Sequence, residues 1–464
     1  MLELMLKLLA WFETNYKFFV AAVIMAIPLY PKFPAIRIPG TYVSVRLEDF
    51  LVLTTISLWL VLNLNKLKTF ARDKITQAIL LFLSVGLVSL VSAVLVTQTI
   101  VPHIGLLHWL RRIEYLSLFF VGITSIKEEK TLDFYLKVFG ITIIVAFIYG
   151  LGQKYFSWPV IITQNLEYSK GIALRWIPGS HINSTFAGHY DLATYLVMLL
   201  PVFVSLLFVV KGIGSKSFLV TVILAGLWLL ANAISRISVV SYLIGITISL
   251  ILLKRYKALV MAIIMSLIFF SFSSDLLSRY VRIIEVGSKR LMKVDRLFYN
   301  LPPIYVYAQD EEVVSQRRVN EVIPTPTAVP VFEDRSTSIR LNVEWPRALR
   351  ALAKSPLLGT GYSSITLATD NDYLRLLGET GILGFLSFFL IFAKLSDKFK
   401  KAVVIIRKNT NSLSAVFLAG VLGALSGIFI NAVFIDIFEA SKFATIFWLI
   451  VGFTVATIDL KRNE

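Results

Sequence analysis

The sequence predicts an all-α integral membrane protein with about twelve transmembrane helices and a large external loop, containing amphipathic helices, between spans nine and ten. Of its 464 residues, 57% are hydrophobic and only 16% are charged, and the mean hydropathy is +0.76. Soluble domains carry about 25% charged residues. Apolar runs of about 17–25 residues, the length that crosses a bilayer as a helix, recur along the chain. Because unpaired backbone polar groups are costly in lipid, each run is predicted to be helical.

Twelve apolar segments fit this description. The first is short and is interrupted by Pro28, and residues 1–17 before it are predicted to lie along the membrane surface. The apolar face of that surface segment comprises Leu2, Met5, Leu9 and Phe12. Lys7 interrupts the first apolar run, which argues against a cleavable signal peptide. The predicted spans are 18–33, 48–65, 75–97, 104–125, 132–153, 189–210, 217–234, 237–253, 258–273, 373–393, 412–434 and 442–459.

Lysine and arginine are distributed unevenly among the connections. With the N-terminus in the cytoplasm, the inside segments hold 22 positive residues, against 8 in the outside connections other than the longest. Cytoplasmic loops carry such an excess, so both chain ends are predicted to be cytoplasmic. The net charge of +17 then fits contact with anionic lipid of the inner leaflet better than binding of nucleic acid.

The chain divides into three parts. Residues 1–273 carry the first nine spans, 274–372 form the large extracytoplasmic loop, and 373–464 carry the last three spans and a cytoplasmic tail. Within the loop, the proline-rich stretch 324–330 is predicted not to fold. The flanking segments have apolar residues at helical spacing and are predicted to be amphipathic helices. These segments are 276–299 and 338–354.

Polar residues interrupt the apolar pattern at four places, all on the predicted external side. The first, 174–201, has a Gly/Ser/Asn-rich turn that leads into the sixth span. A polar loop before a helix explains most of it, but Asp191 inside the span favours a functional site because intramembrane carboxylates are rare. Its candidate substrate-contacting residues are Arg175, His181, Asn183 and His189.

Two further places are marked by arginine. Arg236, after Ser235, lies at a tight turn between apolar spans, where a snorkelling arginine is common and a guanidinium fork for pyrophosphate is the alternative. Arg340 lies on the largely basic face of 338–354, which is simply explained as solvated charge. The PLLGTG turn at 356–361 is of a kind that brings backbone close to another group.

The fourth place marks the start of the tenth span. Capping of the helix explains Asn371 or Asp372, but it does not explain Arg375 and Glu379, which are four residues apart and are predicted to pair. The candidate residues here are Asp370, Asn371, Asp372, Tyr373, Arg375 and Glu379.

In their order and spacing, these patterns resemble the O-antigen ligase and O-antigen polymerase superfamily of membrane glycosyltransferases. The resemblance runs from about residue 40 to about residue 450 and is strongest over 174–386. The corresponding features are the turn at 175–188, Ser235–Arg236, Arg340 with Trp345, the glycine turn with Pro356, Gly359 and Gly361, and the Asn-Asp-Tyr-Leu and Glu-Thr-Gly signatures at 371–374 and 379–381.

The resemblance implies a glycan donor on undecaprenyl pyrophosphate, a glycan, lipid or protein acceptor, and a site on the extracytoplasmic face of the cytoplasmic (inner) membrane. Arg175, Arg236 and Arg340 are then expected to bind the pyrophosphate. Ligases of the family carry a histidine immediately before Asn-Asp-Tyr-Leu, whereas this chain has Asp370, as polymerase-like members often do. Asp370 is the first candidate for the base, with His181 and His189 as rivals.

No metal or cofactor is predicted, because the chain lacks cysteine and shows no His/Asp/Glu metal spacing on a helix. The alternative function is a polytopic transporter or flippase of lipid-linked glycans, since twelve spans with both ends inside is a common transporter layout. The long external loop and the lack of an evident internal repeat favour the enzyme.

Overall fold

Each segment predicted to span the membrane contains a helix in the structure. It is a computed structural model that describes residues 2–31, 33–38, 44–160, 175–273, 280, 338–365 and 368–463. The helices are α1 (Leu2–Leu29), α2 (Leu47–Leu62), α3 (Leu67–Arg72), α4 (Lys74–Leu95), α5 (Pro102–Ser125), α6 (Glu129–Tyr155), α7 (His189–Leu207), α8 (Ile213–Ala233), α9 (Arg236–Leu252), α10 (Tyr256–Ser271), α11 (Trp345–Lys354), α12 (Asp372–Lys408), α13 (Leu413–Asn431) and α14 (Ser441–Asn463).

The helices make this a multi-pass membrane protein. Among the described residues, 8 helices are long and apolar enough to cross a bilayer, and the bent pair α2–α3, with a 68° break, raises the number to 9. Helices α9 and α10 are apolar but shorter. Helix α5 carries Arg111, Arg112 and Glu114 in its middle. Twelve spans therefore remain a prediction.

The structure corrects two details. Helix α1 runs without interruption from Leu2, so the predicted surface segment and first span form one helix, which ends at Leu29 instead of 33. Helix α12 continues to Lys408, beyond the predicted end at 393. The all-α prediction is confirmed, and the described residues add one short antiparallel pair that was not predicted, β1 (Pro34–Arg37) and β2 (Ser44–Arg46). The apolar pattern predicts which residues cross the bilayer, but it does not predict where a helix ends. Helical hydrogen bonding can continue beyond the apolar stretch.

The centre of the bundle is formed by α7, α13 and α14. In the most apolar stretch of each of these helices, 83%, 72% and 89% of the residues are buried, whereas in α4 only 39% are. Small residues allow the backbones to approach: a Cβ on Gly122 of α5 would lie 2.5 Å from the carbonyl oxygen of Leu449 and 2.9 Å from the Cα of Gly452 on α14. Such contacts are typical of helix packing in membranes.

Part of the predicted external loop lies outside the described residues, including the stretch 324–330 and nearly all of 276–299. The predicted amphipathic helix at 338–354 is confirmed as a π-helical turn, Arg340–Glu344, followed by α11. Leu341, Val343 and Leu349 along it are exposed.

Candidate active site

The PLLGTG turn pairs with α12 at the point where that helix is broken. Gly359 in the turn and Gly381 in the helix both have φ of +68°, a conformation that favours glycine. A Cβ on Gly359 would lie 2.5 Å from the nitrogen of Thr380, and one on Gly381 would lie 2.6 Å from the nitrogen of Gly359. The backbone hydrogen bonds run from Thr360 N–H to Gly378 O (3.0 Å), Gly361 N–H to Glu379 O (2.8 Å), Ile382 N–H to Pro356 O (2.9 Å) and Leu383 N–H to Leu357 O (3.1 Å). The two glycine motifs are complementary halves of one backbone structure.

The loop before α12 is held by Asp436, in the connection between α13 and α14. Its Oδ2 accepts from the N–H of Thr369 at 2.7 Å, and its Oδ1 accepts from the N–H of Asn371 at 2.9 Å. The Arg375 side chain also approaches Asp436, with Nε 3.2 Å from Oδ2. Asp436 was not predicted, because it lies 65 residues beyond Asn371 and no local pattern marks it.

Five predicted substrate-binding residues are engaged within the bundle at the start of α12. Asn371 caps the helix by accepting from Leu374 N–H at 3.0 Å, which is the economical explanation. Asp372 accepts from the N–H groups of Ile437 (2.8 Å) and Phe438 (3.2 Å). Tyr373 donates to Phe429 O at 2.7 Å. We refer to Asn371, Asp372, Arg375, Glu379 and Asp436 as the α12 clamp. Its predicted ion pair, Arg375 with Glu379, is present at 3.5 Å.

Behind the clamp lies a small cavity of about 50 Å³. Its polar lining includes Arg112, Tyr362, Asp372, Arg375 and Glu379. Arg112 forms an ion pair with Glu439 and donates to Phe438 O at 2.7 Å, so this buried arginine ties α5 to the same connection. The volume is sufficient for a few water molecules and too small for a sugar ring.

Arg340 and Asp370 form the central pair of the site. Nε and Nη2 of Arg340 lie 3.1 and 2.8 Å from the same oxygen, Oδ2 of Asp370. Within the described residues Oδ1 of Asp370 makes no hydrogen bond. The two side chains are only 11% and 20% exposed, and Asp370 has φ of +48°, which is unusual for a residue with a side chain. Burial raises the pKa of Asp370 above its ordinary value, although the Arg340 charge opposes this.

The two predicted histidines adjoin this pair through Tyr190. The rings of His181 and His189 stack with centroids 4.0 Å apart, and the rings of His189 and Tyr190 are also 4.0 Å apart. The Tyr190 hydroxyl lies 3.5 Å from Nη2 of Arg340. Tyr190 was not among the predicted site residues. Its only sequence signal was its position at the start of a span, next to Asp191.

Arg236 lies at the same end of the bundle, as the first residue of α9. Two residues further on, Ser238 donates to Asn431 at 3.2 Å, and Asn431 donates to Thr194 on α7 at 2.9 Å. The half-buried Tyr280 donates to the Arg236 carbonyl at 2.9 Å. Helices α7, α9 and α12 thus all begin at the same end of the bundle.

Two other predicted residues are placed differently. Arg175 is exposed, and within the described residues no contact joins it to the Arg340–Asp370 pair. Its neighbour Trp176 packs against Lys154 at the end of α6, 5.8 Å from ring centroid to ammonium. Asn183 is buried, and its amide donates to Phe186 O at 2.8 Å, closing the turn before α7. In the structure, Asn183 therefore stabilises the fold of this loop.

Glu344 is a further site residue that the sequence analysis did not select. Burial, then the Asp370 charge, raise the pKa of Glu344 to about 7, while Arg340 opposes the shift. Its sequence signal was present but ambiguous, because a glutamate among arginines on an amphipathic helix is typical of solvated surface. In the described part of the chain no group of three or more His, Asp or Glu side chains is arranged to hold a metal ion.

The fold and this cluster define a multi-pass membrane protein with a polar site at one end of its bundle. Residues 219–389 match the family model described as O-antigen ligase, which confirms the predicted resemblance to that superfamily. The matched segment includes Arg236, Arg340, Asp370 and Glu379, whereas the two histidines precede it. No curated protein matches the chain. The family match supports an O-antigen ligase-like, glycosyl-transferring function.

Proposed function

We propose that the protein is a membrane glycosyltransferase of the O-antigen ligase or polymerase type. It transfers or polymerises glycan from an undecaprenyl pyrophosphate carrier on the outer face of the cytoplasmic membrane, within a site bordered by the external loop 274–372. The observation that carries this proposal is the Arg340–Asp370 pair, in which the second carboxylate oxygen makes no hydrogen bond within the described residues. That oxygen is the proposed acceptor of the proton from the incoming hydroxyl.

The proposed step breaks the bond between the anomeric carbon and the pyrophosphate oxygen. The acceptor hydroxyl gives its proton to Oδ1 of Asp370, and its oxygen attacks the anomeric carbon. The bonding electron pair leaves with the pyrophosphate oxygen, so the carrier departs as an anion. Asp370 later returns the proton to water.

Positive charge for the leaving pyrophosphate comes from the protein in this proposal. The Arg340 charge opposes the effect of burial on the Asp370 pKa and lies beside the proposed leaving group. Arg236 and Arg175 are the proposed phosphate contacts. The N-termini of α7, α9 and α12 carry partial positive charge and begin at this end of the bundle. These arginines and helix ends make a metal unnecessary for the step.

The buried clamp has a supporting part in this proposal. Asp436 holds the backbone on both sides of Asp370, through Thr369 and Asn371. The base is thereby fixed relative to Arg340, and a fixed geometry reduces the entropic cost of reaching the transition state. The aspartate in place of the ligase histidine favours polymerisation over ligation.

The test uses purified protein in liposomes with a lipid-linked oligosaccharide. We expect a new glycosidic bond and release of undecaprenyl pyrophosphate, both lost in Asp370→Asn. Movement of the donor across the bilayer without bond formation would contradict the proposal and favour the flippase alternative.

The proposed face is tested by accessibility tags in cells. Tags at Lys211, Lys254 and Lys401 are expected to be cytoplasmic, and a tag at Thr325 is expected to be external. The reverse pattern would place the site on the cytoplasmic face.

A further inference from the structure

Glu344 is a second carboxylate beside the Arg340–Asp370 pair, and the step described above does not use it. It closes the π-helical turn that begins at Arg340. The N–H of Trp345 donates to the carbonyl of Arg340, which is the wider pattern that defines a π turn. Such turns are rare and are frequent at functional sites. Arg340, at the start of the turn, pairs with Asp370, and the charge of the same aspartate acts on Glu344 at its end.

The surroundings of Glu344 are unusual for a residue of a surface helix. Its Oε2 is buried and has no hydrogen-bond partner within the described residues. The charged groups that face it there are Asp370 from the loop before α12, Asp436 from the α13–α14 connection, and Arg340 and Arg347 from its own segment. Its carboxyl therefore shares a poorly solvated region with two other carboxylates.

The two carboxyl groups closest to the proposed reaction have different partners. Asp370 forms an ion pair with Arg340, whereas Glu344 forms none within 4.0 Å in the described part of the chain. The pKa of Glu344, raised to about 7, means that its charge changes near neutral pH. Coupled carboxyl groups titrate as a pair, so this change also acts on Asp370.

We propose that Glu344 is a positioning residue that acts through Asp370, its negative charge strengthening Asp370 as the base for the acceptor hydroxyl. A like charge nearby disfavours the ionised carboxylate and so increases its proton affinity. A general base is most effective when its pKa is close to the working pH. Glu344 itself neither gains nor loses a proton during transfer. This inference rests on the proposed transferase function.

The first experiment follows the rate of glycan transfer against pH for the wild type, Glu344→Gln and Glu344→Asp. In the wild type we expect the rate to rise as the pH passes about 7, because Glu344 ionises there. Glu344→Gln should lose this rise and be slower above it by roughly ten-fold or less, well short of the 10²–10⁴ typical of a lost base. Glu344→Asp should keep the rise, since it keeps the charge. A wild-type pH profile in Glu344→Gln would overturn the proposal.

The second experiment is independent of activity and uses infrared titration of the carboxyl groups in the purified protein. Asp370 should titrate at a lower pH in Glu344→Gln than in the wild type. Because coupling is reciprocal, Glu344 should titrate at a lower pH in Asp370→Asn, which gives a second measurement if Glu344→Gln fails to fold. Unchanged titrations would overturn the proposal. A different result is also informative: the titrations are coupled, but the wild-type protein transfers no glycan. That result would overturn the proposed function, while the interaction between Glu344 and Asp370 would stand.

Discussion

Asp370 and Asp372 are two residues apart in the chain, yet they lie in different regions of the molecule. Asp372 accepts hydrogen bonds from the backbone N–H groups of Ile437 and Phe438 and belongs to the buried α12 clamp. Asp370 is held at one oxygen by the Arg340 side chain, and its charge acts on Glu344. Backbone donors fix a carboxylate as part of the fold, whereas a side-chain cation that contacts one oxygen leaves the other for chemistry. We infer from this difference that one motif supplies both the base and its support.

The strongest test of this division is Asp370→Asn. If Asp370 is the base, transfer should fall by about 10²–10⁴. Donor binding and membrane level should stay normal, because Asp370 contributes no backbone contact to the clamp. Single-turnover transfer by purified protein measures the effect.

A companion variant sharpens the same prediction. Asp370→His installs the residue that ligases of the family carry, so it should retain part of the activity with a shifted pH profile. A normal rate in Asp370→Asn would remove Asp370 from the role of base and direct attention to His181 and His189.

The second test concerns the backbone pairing that supports the clamp. Gly359→Ala adds a Cβ that overlaps the backbone of α12 at a residue with φ of +68°, so it should cost about 3 kcal/mol or more of stability. Thermal unfolding of the purified protein measures the loss. Gly188→Ala is the matched control, since a Cβ there meets nothing within 4 Å. Equal stability of the two variants would show that the glycine turn is not a structural support.

The third test asks whether Arg340 contributes shape as well as charge. Arg340→Lys should reduce transfer nearly as much as Arg340→Ala, by roughly 10–100-fold, because lysine cannot direct two N–H groups at one carboxylate oxygen. Arg350→Lys, on the exposed face of α11, is the control and should transfer normally. Full activity in Arg340→Lys would mean that charge alone is sufficient at this position.

The smallest expected effect is that of Asp372→Asn. The amide keeps one oxygen as an acceptor but loses the charge, so stability should fall by about 1 kcal/mol. Transfer per folded molecule should change by no more than about two-fold if the clamp is only support. Melting temperature and rate are measured on the same preparation. A large loss of rate without a loss of stability would show that Asp372, like Asp370, takes part in the transfer step.

The sequence predicts those residues of the candidate site that belong to local patterns. The glycine turn, the capping Asn371 and the pairing of Arg375 with Glu379 all follow from spacing along a few residues. The place of Asp436 and Tyr190 in the site depends on contacts between distant segments, so neither was selected. Glu344 was visible in the sequence, but its burial was not, because a helix pattern does not say which charged face a neighbouring loop covers.

The sequence by itself determined which segments are helices and that the protein is built for a membrane. The length of an apolar segment and the cost of unpaired backbone groups in lipid are properties of that segment alone. They predict a helix without knowledge of the segments that pack against it. Helix ends were determined less well, as α1 and α12 show. Only the tertiary structure decided which carboxylates face backbone donors and which face arginines. That outcome depends on how α7, α9, α12 and α13 pack at one end of the bundle, since burial and charge partners are properties of the assembled helices.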